Sequence, residues 1–159
     1  MCIFATKKTK IQANMYMDPA YQKLIECGIR PSLQRIEIMR YLQTHFTHPT
    51  IDEIFNDLRA KIPTVSKTTI YNTLRMFSEK GGALMITIDE HRVCYDGNTT
   101  PHAHFCCKEC GKVYDLFDMQ PPVAQSKTFG GFQIDDAQLY YKGVCPACLE
   151  KQPKSEKVS

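Results

Sequence analysis

The stretch PHAHFCCKECGKVYDL, residues 101–116, carries two histidines and three cysteines in its first ten positions, and a further cysteine pair follows in GVCPACL. Cys107-x-x-Cys110 and Cys145-x-x-Cys148 are separated by 34 residues. Each pair presents two thiolates from a tight turn, and two such pairs complete a tetrahedral sulfur site suited to Zn2+. A closed site of this kind leaves no position for substrate, so its expected role is structural. A redox pair in CPAC is the weaker reading, because it calls for a βαβ unit that the surrounding pattern lacks. Haem ligation through Cys145-Pro146 would leave the matching second pair unexplained. Cys106 adjoins a ligand and, as the next residue of a strand, points to the opposite face, so it reads as a buried bystander. Cys2, Cys27 and Cys94 fit no ligand spacing and read as small apolar filler.

His102 and His104 lie two apart, so in a strand both imidazoles face one side and can share a cation. H-x-H alone is a weak signal, and solvated or core histidines are commoner. Asp96 stands before the polar, turn-rich DGNTTP, Asp115 falls on the strand after the first cysteine pair, and His48 precedes a helix in THPTIDE. Three histidines and two aspartates suit Fe2+ or Mn2+ better than a soft metal. Spacing alone does not join these five.

The elements that must position these residues fall into two halves. In the first, Asp18 caps a helix with Pro19 at its first position and Gly28 at its stop. Ser32 opens a second helix, with Leu33, Ile36, Met39 and Leu42 on one face. Thr50 and Glu53 form a capping box for a third, which turns Ile51, Ile54, Phe55 and Leu58 inward and ends before Pro63. Ser66 opens a fourth, which buries Ile70, Leu74 and Phe77 and stops at Gly81-Gly82. The period then changes to two: Leu84, Ile86 and Ile88 alternate, DEH turns the chain, and Val93 and Tyr95 alternate back. Helices closed by such a hairpin suggest a winged helix-turn-helix. The expected domains are a tail at 1–17, a winged helix at 18–95, a hinge at 96–101, a second domain at 102–150 and a tail at 151–159. Short strands are expected near 102–106, 112–117 and 132–142, with at most a short helix near 121–128. This half has few large aliphatic residues, so a metal staple is physically expected.

Composition bounds the function. A 159-residue chain with 43% hydrophobic and 23% charged residues is globular. It contains no apolar run long enough to span a bilayer, and MCIFATKKTK is no secretory leader, so the expected location is the cytoplasm, with no membrane partner. Residues 1–97 hold 13 Lys/Arg against 10 Asp/Glu, whereas residues 98–159 hold 7 of each. The excess is a weak hint of a polyanionic partner for the first half.

Taken together, RPSLQR, HPTIDEIFNDL, VSKTTIYNTLRMFSEKG, CYDGNTTPHAHFCCKECGKVYDL and GVCPAC resemble the ferric uptake regulator (Fur) family of bacterial metalloregulators over about residues 18–150. The resemblance implies a homodimer with an α/β architecture: an N-terminal winged helix-turn-helix, and a C-terminal α/β dimerisation domain holding a zinc knuckle. It also implies structural zinc on Cys107, Cys110, Cys145 and Cys148. The chain is most similar to the peroxide-responsive PerR branch, whose regulatory Fe2+ or Mn2+ ligands map onto His48, Asp96, His102, His104 and Asp115. Iron-sensing relatives usually carry Glu at the last position. Binding to all five would clamp the two halves in a DNA-competent arrangement. Peroxide, reduced at Fe2+, would then oxidise His48 or His102, loosen the metal and release DNA. Two copies of the helix from Ser66 would enter successive major grooves of an inverted-repeat operator. Lys67, Thr68 and Thr69 suit phosphate contacts, and Tyr71, Asn72 and Arg75 are candidates to reach bases, with core packing the rival role for Tyr71.

Other readings remain open at this point. An iron, zinc or manganese uptake regulator of the same family would share every motif. A thiol oxidoreductase lacks its βαβ unit, and a zinc hydrolase lacks the H-E-x-x-H glutamate. A zinc-ribbon adaptor that binds protein alone does not need the helix-turn-helix. The expected activity is therefore regulatory and not enzymatic, with no catalytic residues.

Overall fold

The computed structural model describes residues 18–89, 92–119, 128–135 and 137–151. It forms two compact units that part between Thr99 and Thr100.

In the first unit, helices α1 (Pro19–Glu26), α2 (Leu33–Thr44), α3 (Ile51–Leu58) and α4 (Lys67–Glu79) lead into β1 (Leu84–Asp89) and β2 (Arg92–Asp96). Each helix begins where a side-chain oxygen takes up an N–H that the helix cannot satisfy. Asp18 accepts from Ala20 at 3.0 Å, Ser66 accepts from Thr69 at 3.0 Å, and Ser32 accepts from Arg35. Thr50 and Glu53 form the reciprocal capping box. The chain leaves α1 and α4 through Gly28 (φ +64°) and Gly81 (φ +70°), a left-handed turn that glycine takes without steric cost.

Leu24, Ile38, Met39, Leu42, Ile54, Leu58, Ile70, Leu74 and Phe77 are the filling of this unit. Three expectations are corrected here. Leu33 is 67% exposed, because it stands at the first position of α2, beyond the neighbours that cover the rest of the helix. Ile38 and Tyr41 are buried in addition to the expected face, since α2 packs against α1, α3 and α4. The Tyr41 hydroxyl donates to Asp57 on α3 at 2.6 Å, which gives a large aromatic at the core edge its polar partner. In the hairpin, Tyr95 is buried in the core as expected, but Cys94, the partner of Ile86, is buried in place of Val93, which faces outward.

In the second unit, β3 (Ala103–Cys107) lies between β4 (Val113–Leu116), antiparallel to it, and β7 (Tyr140–Gly143), parallel to it. A separate two-stranded ribbon joins β5 (Thr128–Phe129) to β6 (Phe132–Gln133). Helix α5 (Pro146–Leu149) follows β7. The single strand expected over 132–142 is therefore broken. Gly130 and Gly131, at φ +56° and +86°, fold Phe132 back onto Phe129 in a tight hairpin, whereas residues from Tyr140 pair with β3. Residues 121–127 of the expected short helix lie outside the described residues, and Thr128 opens a strand. Among the described residues no helix is long and apolar enough to cross a membrane.

The end of β2 is pressed onto α2 at one point. A Cβ at Gly97 would stand 2.8 Å from the Leu42 carbonyl oxygen and 2.9 Å from its carbon. Both atoms are backbone, so neither can swing aside. Gly97→Ala is expected to destabilise the first unit by about 1–3 kcal/mol, as overpacking does. Urea unfolding followed by helical circular dichroism measures the loss, and an unchanged midpoint would show that the contact relaxes freely.

Candidate metal centres

Two donor sets are built on the strands. Cys107 ends β3, Cys110 closes the turn after it, and Cys145 and Cys148 come from the start of α5. Their sulfurs lie within 4.8 Å of one another, with Cys110 Sγ and Cys145 Sγ 3.8 Å apart. A disulfide requires about 2.05 Å. A tetrahedron with bonds of about 2.3 Å has edges of roughly 3.8 Å, so the spacing fits a zinc-sized cation.

The turns hold that geometry. Gly111 N–H donates to the Cys107 carbonyl at 2.9 Å with φ +68°, and Cys148 N–H donates to the Cys145 carbonyl at 3.0 Å. The Cys145 N–H is aimed at Cys107 Sγ, 3.3 Å away. N–H groups of Cys110, Cys145 and Glu109 favour the thiolate and bring the Cys107 thiol down to about 6, against its burial. The Tyr114 hydroxyl hydrogen-bonds Cys145 and holds its thiol below the ordinary range. Cys148 is pushed up to about 12, first by the Cys145 sulfur beside it and then by burial. Four sulfurs this close cannot all carry charge by themselves. A dication would offset that charge. The donor set is all sulfur, which selects Zn2+ over harder cations.

The second set is assembled separately in each unit. In the second unit, His102 Nε2 lies 3.0 Å and His104 Nε2 3.5 Å from the same oxygen, Oδ1 of Asp115. His104 and Asp115 are direct partners across β3 and β4. His102 Nδ1 lies 2.7 Å from the Thr100 carbonyl, which fixes the tautomer with Nε2 as the lone-pair nitrogen. Bonds of about 2.1 Å at right angles give edges of about 3 Å, so these atoms stand as three corners of a five- or six-coordinate nitrogen and oxygen site. Phe117 and Tyr140 flank the two imidazoles at ring-centroid distances of 5.1 and 6.1 Å.

In the first unit, His48 and Asp96 are both buried and present ligand atoms within 4.8 Å of each other. His48 takes φ +52°, a left-handed conformation that costs free energy in a residue with a Cβ. The next residue explains how it is held: the Pro49 carbonyl accepts from Tyr95 N–H at 3.0 Å, one position before Asp96. Asp96 Oδ1 also accepts from Asn98 N–H at 2.8 Å, which closes the turn after β2.

The remaining residues singled out from sequence are also located. Cys106 is buried and lies outside the sulfur set, Cys94 is buried, and Cys27 packs half-buried against the helical core. Cys2 lies outside the described residues. Lys67, Thr68, Tyr71, Asn72 and Arg75 are exposed on α4, and Thr69 is half-buried beside its cap. Tyr71, 49% exposed, is no core residue. Arg75 Nε donates to Glu79 at 2.8 Å, and Lys67 pairs with Asp52 at 2.6 Å. The sequence reading missed Tyr114. No motif marks it: Phe105 and Cys107 share a face of β3, and only the pairing of β4 with β3 brings Tyr114 opposite Phe105.

The model of the ferric uptake regulator family matches residues 26–142. The peroxide-responsive repressor PerR of Staphylococcus epidermidis is 35% identical over 139 residues, which cover 85% of this chain and 91% of that protein. The peroxide operon regulator of Bacillus subtilis is 35% identical over 137 residues, covering 84% and 93%. Among solved structures, the ferric uptake regulator of Pseudomonas aeruginosa with manganese aligns at a TM-score of 0.62 and 19% identity, over 80% of this chain and 98% of that one. The ferric uptake regulator Fur of Helicobacter pylori, described as having three functional metal binding sites, aligns at 0.61 and 19%, over 92% and 95%. These two establish the fold.

Cys110→Ser removes one corner of the sulfur tetrahedron. A structural zinc supplies on the order of 10 kcal/mol in small sites, so the second unit is expected to lose both zinc and its cooperative melting transition. Metal content and calorimetry check this. A variant that keeps stoichiometric zinc and its melting temperature would contradict the assignment.

Proposed function

Because the chain belongs to the ferric uptake regulator family, we propose that it is a metal-dependent transcriptional repressor that responds to peroxide. The observation that carries the reading is the pair of imidazole nitrogens sharing one Asp115 oxygen, at 3.0 and 3.5 Å. It supports a hard, nitrogen- and oxygen-ligated cation, and an aspartate at this place is the peroxide branch's form of the site. Structural zinc on Cys107, Cys110, Cys145 and Cys148 keeps the second unit folded. His48, Asp96, His102, His104 and Asp115 together hold the regulatory Fe2+ or Mn2+.

The roles of the chain's own residues follow from their placement. Asp115 and Asp96 balance the cation's charge, and both are largely withdrawn from water, where charge attraction is strongest. The Thr100 carbonyl aims His102 through Nδ1. His48 is held by the adjacent Pro49 bond to β2, so its loss as a ligand is transmitted to the start of α3. When bound, Fe2+ supplies the electrons that reduce peroxide beside His48 and His102, whereas Mn2+ holds the same ligands without that reaction. The signal is consumed once per molecule, as in a sensor and not an enzyme.

DNA is the partner, bound by a homodimer in the cytoplasm at an inverted-repeat operator, with the exposed face of α4 in the major groove. Lys67, Thr68 and Thr69 sit in its first turn, where N–H groups and the helix dipole also favour phosphate. Tyr71, Asn72 and Arg75 lie one turn on and are exposed. Glu79 engages only Nε of Arg75, so the Nη1/Nη2 fork that reads guanine is not used by that bond.

Arg75→Ala is expected to cost about 1–3 kcal/mol on the operator with little change on random DNA, measured by fluorescence anisotropy at fixed salt. An equal loss on both would make Arg75 a phosphate contact. In the same assay hydrogen peroxide should release the anaerobically prepared Fe2+ protein much faster than the Mn2+ protein, with one oxygen added to His48 or His102 by intact and peptide mass. If both metal forms ignore peroxide and still bind in proportion to free metal, the chain is a metal-uptake regulator. Equal operator affinity with and without Mn2+ would end the metal-dependent reading altogether.

A further inference from the structure

Helix α4 carries two cations, and each already faces a carboxylate. Lys67 pairs with Asp52 of α3 at 2.6 Å, and Arg75 Nε donates to Oε1 of Glu79 at 2.8 Å. The second pair is a poor one for the helix itself. Glu79 is the last residue of α4, where the carbonyl end of the helix dipole repels a carboxylate, and no base stands in that last turn to offset it. An acid four residues after its base is also the less favourable order of an i,i+4 pair. The side chains are 66% and 60% exposed, so water screens the attraction and the fold gains little from it. Stability therefore does not account for an acid at this position.

The bond instead restrains a side chain that points to solvent from the face of α4 proposed to meet DNA. A free arginine loses rotamer freedom when it docks, and one already held loses less. With Nε engaged, the guanidinium presents its Nη1–Nη2 end, the two-pronged donor that matches O6 and N7 of guanine. The carboxylate also offsets the charge of Arg75 on DNA of the wrong sequence, where attraction to phosphate supplies the binding. We propose that Glu79 is a specificity-determining residue, which aims the Arg75 fork at a base and suppresses the pull of Arg75 on phosphate. It lowers affinity for all DNA, and lowers it least where the fork finds its base. The inference rests on the DNA reading of the proposed function and on Arg75 as a base contact.

The test compares wild type with Glu79→Gln, which removes the charge, and Glu79→Asp, which keeps the charge on a stem too short for the bond. The probes are an inverted-repeat duplex recovered by the Mn2+-loaded chain from a random library, and a random duplex of equal length. In Glu79→Gln, random-duplex affinity should rise by about three-fold, the scale of one exposed ion pair. Its salt dependence should steepen by about 0.9 in log–log slope for each copy of α4, as one more phosphate contact forms. In Glu79→Asp, affinity for the recovered duplex should fall by about three-fold with the random duplex unchanged, again the scale of one exposed pair. In an Arg75→Ala background neither change should alter the ratio of the two affinities. Wild-type ratios in both variants, an unmoved salt slope in Glu79→Gln, or the same shifts without Arg75 would overturn the role of Glu79. Loss of helical circular dichroism in the variants would overturn it too, by making Glu79 a structural residue. If Arg75→Ala weakens both duplexes equally, Arg75 is a phosphate contact and this inference fails while the DNA reading stands. If the Mn2+-loaded wild type enriches no duplex, the DNA reading itself fails.

Discussion

The pairing of β3 with β4 and β7 is the constraint on which both metal centres depend. Successive residues of a strand point to opposite faces, so β3 sends His104 toward Asp115 and sends Phe105 and Cys107 toward the sulfur site. A slip of one residue would exchange the two faces and put Ala103 or Phe105 opposite Asp115 in place of His104. Several contacts pin the register. Cys107 N–H donates to the Lys112 carbonyl at 2.9 Å, Lys108 N–H to the Gly143 carbonyl at 2.7 Å, and His104 N–H to the Leu139 carbonyl at 3.0 Å. A cation on the four sulfurs locks the strand end, and the fixed end then sets where the imidazole of His104 stands. On the proposed function, a structural cation at the sulfur set would thereby help to place a ligand of the regulatory one.

The first unit solves a different problem, which is to bring a strand end and a loop together. His48 precedes α3 and Asp96 ends β2, far apart in sequence. The Pro49–Tyr95 backbone bond joins them, and the bare Cα of Gly97 lets the chain after Asp96 lie against the backbone of α2. The positive φ of His48 is the cost of this arrangement. The same helices present α4 outward, so α4 and the loop that carries His48 share one apolar core.

Much of this was legible in the residues. Caps at Asp18, Ser32, Thr50 and Ser66 and the stops at Gly28 and Gly81 are local signals, and the helices obey them. The two C-x-x-C pairs announce their chemistry through spacing that few other sites share. What was not legible depends on long-range pairing. Val93 and Cys94 are both plausible inward residues until the partner strand is known, and Ile86 decides for Cys94. The break between β6 and β7 comes from each finding a different partner. The five nitrogen and oxygen candidates lie in four separate stretches, and no period relates them; family resemblance supplied the set. Tyr114 carries no motif, and its meaning emerges only when the register brings it opposite Phe105.

The central claim is that the alternation of β3 segregates the donors, all sulfur on one side and only nitrogen and oxygen on the other. X-ray absorption at both metal edges of the protein loaded with zinc and Mn2+ reads this directly. The account predicts a zinc shell of four sulfurs at about 2.3 Å and a manganese shell without sulfur, at the distances of imidazole and carboxylate ligands. A nitrogen in the zinc shell, or a sulfur in the manganese shell, would contradict it.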